Sequence, residues 1–218
     1  GMHALAQALE GLARRKGVTF SYNTPVSQIT VRGGRASGVL TADGRHWAAD
    51  AVVFNGDAEA LAQGLLGPQV QQAVPRRREG DRSLSAFTCS ALARTEGFAL
   101  DRHNVFFQDD YASEFDDVFV RRRLPRKGTV YVCAQDQGDP DNALPASQAQ
   151  RLLLLVNAPA ETGRGPLESQ EIETCEQTSL ALLQRCGLTV DRASAHWVRT
   201  TPQDFSQWYP GSGGSLYG

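Results

Sequence analysis

Lysine is nearly absent from this chain: of its 22 basic residues only Lys16 and Lys127 are lysine. We read that bias as genomic base composition. A basic excess is absent too, because 24 acidic residues bring the net charge to −2. That excludes the electrostatic footprint of non-specific nucleic-acid binding. Long apolar runs are missing, none exceeding the five residues of Leu152 to Val156, against the roughly 20 residues needed to span a bilayer. The first residues show no charged n-region followed by an apolar h-region, so a secretory leader is not expected. Cys89, Cys133, Cys175 and Cys186 form no C-x-x-C pair, which argues against a zinc site or a redox motif. Reduced thiols in a cytoplasmic protein are the expectation. His3, His46, His103 and His196 stand at no metal-ligand spacing, and no serine lies in a G-x-S-x-G frame. No metal site and no catalytic constellation is therefore assigned.

What the chain does contain is a well-punctuated set of local structures. At 218 residues and 41% hydrophobic content it has ample material for a core, in one large domain or two small ones. Met2, Leu5, Ala6, Leu9, Leu12 and Ala13 share one helical face, and Arg14, Arg15, Lys16 and Gly17 close that helix. Residues 18–57 read as three antiparallel strands turned at Gly33-Gly34 and Asp43-Gly44, both of which tolerate positive φ. The meander is expected to pack on the helix of residues 2–16. The continuous apolar run Ala51 to Phe54 then predicts a return strand covered on both faces. It ends in Asn55-Gly56-Asp57, where Asp57 caps a helix carrying Ala58, Leu61 and Leu65 inward.

Residues 68–82 are polar and mark the expected domain boundary, giving domains 1–67 and 68–218. Arg76-Arg77-Arg78 within them reads as a solvated loop, or else as a contact for anionic lipid headgroups. Strands are predicted at Leu84–Arg94, Asn104–Phe107, Thr129–Ala134, Leu152–Asn157 and Ala193–Thr201, with a Gly/Asp/Pro loop at 136–149. Asp109-Asp110 caps a helix aligning Tyr111, Phe115, Val118 and Phe119, and the adjacent Asp116 and Asp117 need no role there. A long helix turns Ile172, Cys175, Ser179, Leu182, Leu183 and Cys186 inward and stops at Gly187. Gly211-Ser212-Gly213-Gly214 reads as a plain loop, the alternative being a phosphate cradle. The fold class is α+β, with a mixed sheet carrying helices on one face.

Several of these segments together resemble the phytoene-desaturase (carotenoid desaturase) family of FAD-dependent oxidoreductases. GMHALAQALEGLARRKGV and PVSQITVRGGRASGVLTADGRHWAADAVVFNGD look like the middle of such a protein. HNVFFQDDYASEF, GTVYVCAQDQ, RLLLLVNAPA and the tail YPGSGGSLYG look like its bacterial branch acting on hydroxy- or methoxyneurosporene. The resemblance implies that FAD takes a hydride from a saturated C–C segment of an acyclic carotenoid, lengthening its polyene. It implies that residues 1–67 are a partial FAD-binding domain of α/β type and residues 68–218 the substrate-binding domain. Carried over by position, the backbone of Val26 would contact the adenine of FAD. Asn55, Gly56 and Asp57 would border the cofactor, and Gly1, Met2 and His3 would lie near the isoalloxazine ring.

The family's G-x-G-x-x-G fingerprint, with an acidic residue about 20 positions on, does not occur here, nor does its C-terminal flavin motif. The expectation is the central portion of a desaturase, inactive alone and retaining no FAD. Its substrate would be a carotenoid, its place the cytoplasm, with peripheral contact on the inner face of the bacterial membrane. Two alternatives stand beside it. One is a stand-alone binding module for an apolar ligand, its groove formed by Ser85, Ala86, Ser90 and Ala91 interleaved with Phe87. The other is a different amine-oxidase-like flavoprotein, although Trp47, Trp197 and Trp208 are too scattered to argue for an aromatic cage. No oligomeric state is assigned.

Overall fold

The computed structural model describes residues 2–75, 82–138, 148–160, 165, 167–193 and 195–217. The chain divides into two compact units, residues 1–55 with 64–73, and residues 56–63 with 74–218. Gly1 and the arginine run at 76–78 lie outside the described residues, as does most of the 136–149 loop.

In the first unit, helix α1 (Met2–Arg15) precedes strands β1 (Val26–Arg32), β2 (Arg35–Thr41) and β3 (His46–Ala48). The three strands form the expected antiparallel meander in the order β1-β2-β3. Both turns carry positive φ, 56° and 77° at Gly33 and Gly34 and 84° at Gly44. Thr41 reinforces the second turn by donating to Asp43 Oδ1 at 2.5 Å. The ladder bulges between Thr30 and Val31, opposite Gly38, whose φ is 148°. A Cβ on Gly38 would stand 2.1 Å from the Trp47 carbonyl oxygen. That oxygen is backbone and cannot turn aside, so glycine here permits the close approach of β3. Gly38→Ala is expected to release β3, seen as loss of hydrogen-exchange protection at residues 46–48 while the amides of β1 stay protected.

Two expectations for this unit fail. α1 forms, but it buries none of its residues, and Met2, Leu5 and Leu9 are all more than half exposed. Its ties run to the segment that follows, with Val18 N–H donating to Ala13 at 3.1 Å and the Arg14 guanidinium 4.8 Å over the Phe20 ring. Helical spacing encodes an apolar stripe without encoding what covers it. The run 51–55 forms no strand, and Val53 is 93% exposed. A strand inside a sheet needs a hydrogen-bonding neighbour at each edge as well as cover on its faces, and no described strand pairs with it.

The second unit is built on a five-stranded sheet of order β10-β4-β8-β7-β6. Its strands are β4 (Ser85–Ala93), β6 (His103–Phe106), β7 (Val130–Ala134), β8 (Gln150–Ala158) and β10 (His196–Thr200). A short pair, β5 (Thr95–Gly97) with β9 (Leu188–Val190), lies apart from it. All four pairings in the five-stranded sheet are antiparallel, which corrects the expectation of a mixed sheet. The reason lies in strand order. β8 and β10 run the same way, joined through helix α4 (Ser169–Arg185), as in a parallel crossover. β4 is inserted between them and pairs antiparallel with both.

α4 covers one face of the sheet. Cys175, Leu182 and Leu183 pack there against Phe87, Cys89, Val130, Val132, Leu152, Leu154 and Val156, and each fully buried side chain contributes about 1.5–3 kcal/mol. Cys186, expected inward, is exposed, and Glu176 lies inside instead. Helix α2 (Ala58–Ala62) is capped by Asp57, whose Oδ1 accepts from Glu59 N–H at 2.8 Å. Helix α5 (Pro202–Trp208) carries a capping box of Thr201 and Asp204.

Helix α3 (Tyr111–Phe115) is capped by Asp110 as expected and runs into a π turn at 116–120. Of the expected stripe only Val118 is buried, and Phe115 is half-buried. Glu114, Asp117 and Val118 are buried, and Tyr111 and Phe119 are exposed. Glu114 accepts from Thr129 N–H and Asn157 Nδ2, both at 2.8 Å. Asp117 accepts from Arg121 at 2.9 Å, Arg123 at 2.7 Å and Arg126 N–H at 3.1 Å. Asp117 therefore has a role after all, holding the arginine-rich turn in place. Burial raises its carboxyl, but the hydrogen bonds from Arg121, Arg126 and Arg123 win and hold it below the usual range.

Candidate functional site

Alternation along the strands sends every second side chain of the five-stranded sheet away from α4. The registers place these residues in rows. Thr200, Thr88, Leu155, Tyr131 and Val105 form one row across the sheet, and Val198, Ser90, Leu153, Cys133 and His103 the next. Leu92 lies beyond Ser90 on the same face, between His196 and Arg151. Val198, Leu92 and Val105 are 58%, 47% and 49% exposed, and Leu153 and Leu155 are half-buried. Thr88 and Thr200 are buried, so the open part of the face runs from Val198 and the exposed Ser90 across Leu153 and Leu155, its two central leucines, to Val105.

The small residues expected to form a groove are split by strand alternation. Ala86 and Ser90 share the parity of the face turned away from α4, but Ala86 is fully buried and only Ser90 is exposed. Ser85 and Ala91 share that of Phe87, on the core side.

At the β6–β7 end of this face two polar side chains meet. His103 Nδ1 and Tyr131 Oη are 2.7 Å apart, with the rings stacked at 6.1 Å and 19°. Burial pushes the Tyr131 phenol up from its ordinary value, and the neighbouring Cys133 thiol adds to the effect. Tyr131 is therefore a neutral hydroxyl through the physiological range. The sequence shows His103 only as one of four histidines with no metal partner, one residue outside the predicted strand. Strand parity was the signal that could have found it.

The cofactor residues carried over from the resemblance are placed as follows. Val26 opens β1, opposite Thr41, and is 41% exposed. Met2 begins α1 with an exposed side chain. Asn55 ends the first unit, and Gly56 and Asp57 begin the second. The Asp57 carboxylate is occupied by the α2 cap. His3 is exposed on α1.

The glycine-rich tail does not suit a pyrophosphate. A Cβ on Gly211 would lie 2.6 Å from Ala60 N, and one on Gly214 would lie 2.1 Å from the Pro202 carbonyl oxygen. These glycines are packed against protein backbone, so the tail is a closed turn with no cradle. Nor does a described strand–glycine turn–helix unit offer backbone N–H groups to a dinucleotide. The described residues alone do not fit FAD. Among them no group of His, Cys, Asp or Glu could hold a metal ion, and no helix is long and apolar enough to cross a membrane.

The sequence profile of the FAD-dependent oxidoreductase family matches residues 2–161. This chain belongs to that family. Within it, similarity runs to carotenoid desaturases. All 218 residues align with the hydroxyneurosporene desaturase of Rubrivivax gelatinosus at 52% identity, covering 41% of that protein. The hydroxyneurosporene desaturase of Cereibacter sphaeroides is 41% identical over the same 218 residues, or 43% of its length. The chain thus spans less than half the length of these relatives. An oxidoreductase of Methanosarcina mazei shares the fold, with a TM-score of 0.50 at 20% identity over 89% of this chain and 41% of that one.

Proposed function

We propose that this oxidoreductase-family chain supplies the substrate-binding part of a desaturase acting on an acyclic, hydroxylated carotenoid. The observation that carries this reading is the 52% identity to a hydroxyneurosporene desaturase across every residue of the chain. The open sheet face is consistent with it, because a polyene needs an extended apolar floor and very few polar contacts. In this reading residues 1–67 are the FAD-side domain and 68–218 the substrate domain. Val26, Asn55, Gly56, Asp57 and Met2 border the cofactor. The substrate is a lipid-phase molecule, so peripheral contact with the inner face of the bacterial membrane belongs to the same proposal. Alone, the chain is inactive and retains no flavin, since its sequence contains no pyrophosphate fingerprint.

A second reading shares the same face, namely a module that shelters an apolar ligand without redox chemistry. One experiment tests the face that both readings share and the proposed lack of flavin binding. The purified chain is mixed with an acyclic carotenoid in detergent micelles and with FAD, and bound polyene and flavin are read from their absorption. Polyene retention without flavin is the expected result, and Leu153→Asp or Leu155→Asp is expected to weaken it at least ten-fold by putting a charge under the chain. Stoichiometric flavin would overturn the assignment of the cofactor site. Polyene binding indifferent to both aspartates would overturn the assignment of the face.

A further inference from the structure

We propose that His103 and Tyr131 recognise the hydroxyl group of the polyene, making this pair the specificity determinant of the open face. The inference rests on the reading of that face given above. A hydroxylated carotenoid differs from its parent hydrocarbon by one alcohol, so a protein that distinguishes the two must offer that alcohol hydrogen bonds. Across the face the leucines and valines have none to offer. His103 and Tyr131 adjoin Leu153 and Leu155 through the register pairs Cys133–Leu153 and Tyr131–Leu155. With strands about 4.8 Å apart, a chain lying across the leucines reaches the pair at β6 and β7.

The chemistry of the pair matches an alcohol in either tautomer of the imidazole. If the phenol donates to Nδ1, Nε2–H remains free to donate and Oη free to accept. If Nδ1–H donates to Oη, the phenol O–H is free to donate and Nε2 free to accept. Both arrangements present one donor and one acceptor from side chains already fixed by their 2.7 Å contact and stacked rings. An alcohol also has one hydrogen to give and lone pairs to receive. A hydrocarbon end laid on the same spot would cover these groups without replacing their bonds to water. Because His103 is exposed at the sheet edge, the discrimination is about ten-fold, well below that of an enclosed site.

Ser90 is the competing candidate, an exposed hydroxyl in the same row as Leu153. The test uses the full 218-residue chain with two probes, an acyclic hydroxycarotenoid and the same polyene with hydrogen in place of hydroxyl. Affinities are read from the shift of polyene absorption, for the wild type, Tyr131→Phe and Ser90→Ala. Phenylalanine keeps the ring and its packing, and circular dichroism checks that the fold is intact. The expected result is an approximately ten-fold preference for the alcohol in the wild type and in Ser90→Ala. In Tyr131→Phe that preference should fall several-fold, with the hydrocarbon bound at least as tightly as by the wild type. An unaltered preference in Tyr131→Phe, or a preference lost in Ser90→Ala, overturns the proposal. Equal wild-type binding of the two probes overturns it while leaving the face as a polyene site. If neither probe binds, the reading of the face falls and the assignment of the pair falls with it.

Discussion

Replacing Glu176 by alanine is expected to cost about 3 kcal/mol, the lower end for breaking a buried ion pair. Glu176 projects from α4 into the core side of the sheet and is 5% exposed. Its carboxylate accepts from Arg192 at 2.6 Å, Arg199 at 2.7 Å and Trp197 Nε1 at 3.0 Å, and the Cys89 thiol approaches at 3.8 Å. One side chain thereby fastens α4 to β4, to the edge strand β10 and to the loop before it. Alanine leaves two guanidinium groups and an indole N–H without their acceptor. The arginine side chains are 42% and 38% exposed, so water recovers part of the loss. Urea unfolding monitored by tryptophan fluorescence measures the difference, and an effect under 1 kcal/mol would show that the cluster is dispensable.

The same carboxylate sets an acid limit. Burial pushes Glu176 up, but hydrogen bonds from Arg199, Arg192 and Trp197 outweigh it and bring the carboxyl down to about 2. In the unfolded chain it returns to ~4.3. A depressed folded value means the unfolded state binds the proton first as pH falls. The stabilisation is therefore complete above about pH 5 and is lost as pH drops toward 2. Glu176→Gln should flatten the stability profile across that interval relative to wild type. Cys89 follows the opposite logic: burial first, and then the Glu176 charge, push its thiol up to about 12, so it should resist alkylating reagents at neutral pH in the folded protein.

Glu114→Ala is expected to cost about 2–4 kcal/mol, since it leaves two partly buried donors unpaired. Glu114 is 1% exposed and accepts from Thr129 N–H and Asn157 Nδ2, tying α3 to the start of β7 and to β8. Glutamine is the informative comparison. Its carbonyl can still accept from Thr129, and its amide can donate to Asn157 once the Asn157 amide flips. Glu114→Gln should therefore recover most of the loss. Equal destabilisation by alanine and glutamine would show that the negative charge itself is required.

Much of the architecture was written locally. The hairpin turns of the first unit are spelled by Gly33-Gly34 and Asp43-Gly44, since positive φ there costs glycine little. The caps at Asp57 and Asp110 were legible because a side-chain acceptor one step ahead of a helix satisfies its free N–H groups. Strand positions β4, β6, β7, β8 and β10 followed from runs of β-forming residues between turn signals. The run Leu152–Val156 illustrates where this ends. Five successive apolar residues carry no alternation, so nothing local says that Leu152, Leu154 and Val156 face α4 while Leu153 and Leu155 face outward. α3 misled in part: Val118 of its stripe is buried, but Tyr111 and Phe119 are exposed, and Glu114 and Asp117 go inside because partners distant in sequence or in the following turn hold their carboxylates.

The sequence by itself determined where the turns, caps and strands lie, which family the chain belongs to, and the absence of a dinucleotide fingerprint. Each depends on a few adjacent residues or on resemblance along the chain. Only the tertiary structure decided that β4 separates β8 from β10, which face of the sheet stays open, and which carboxylates are buried. It alone brought His103 to Tyr131. These outcomes depend on pairing between segments distant in sequence, where the deciding free energy comes from partners that no local pattern names.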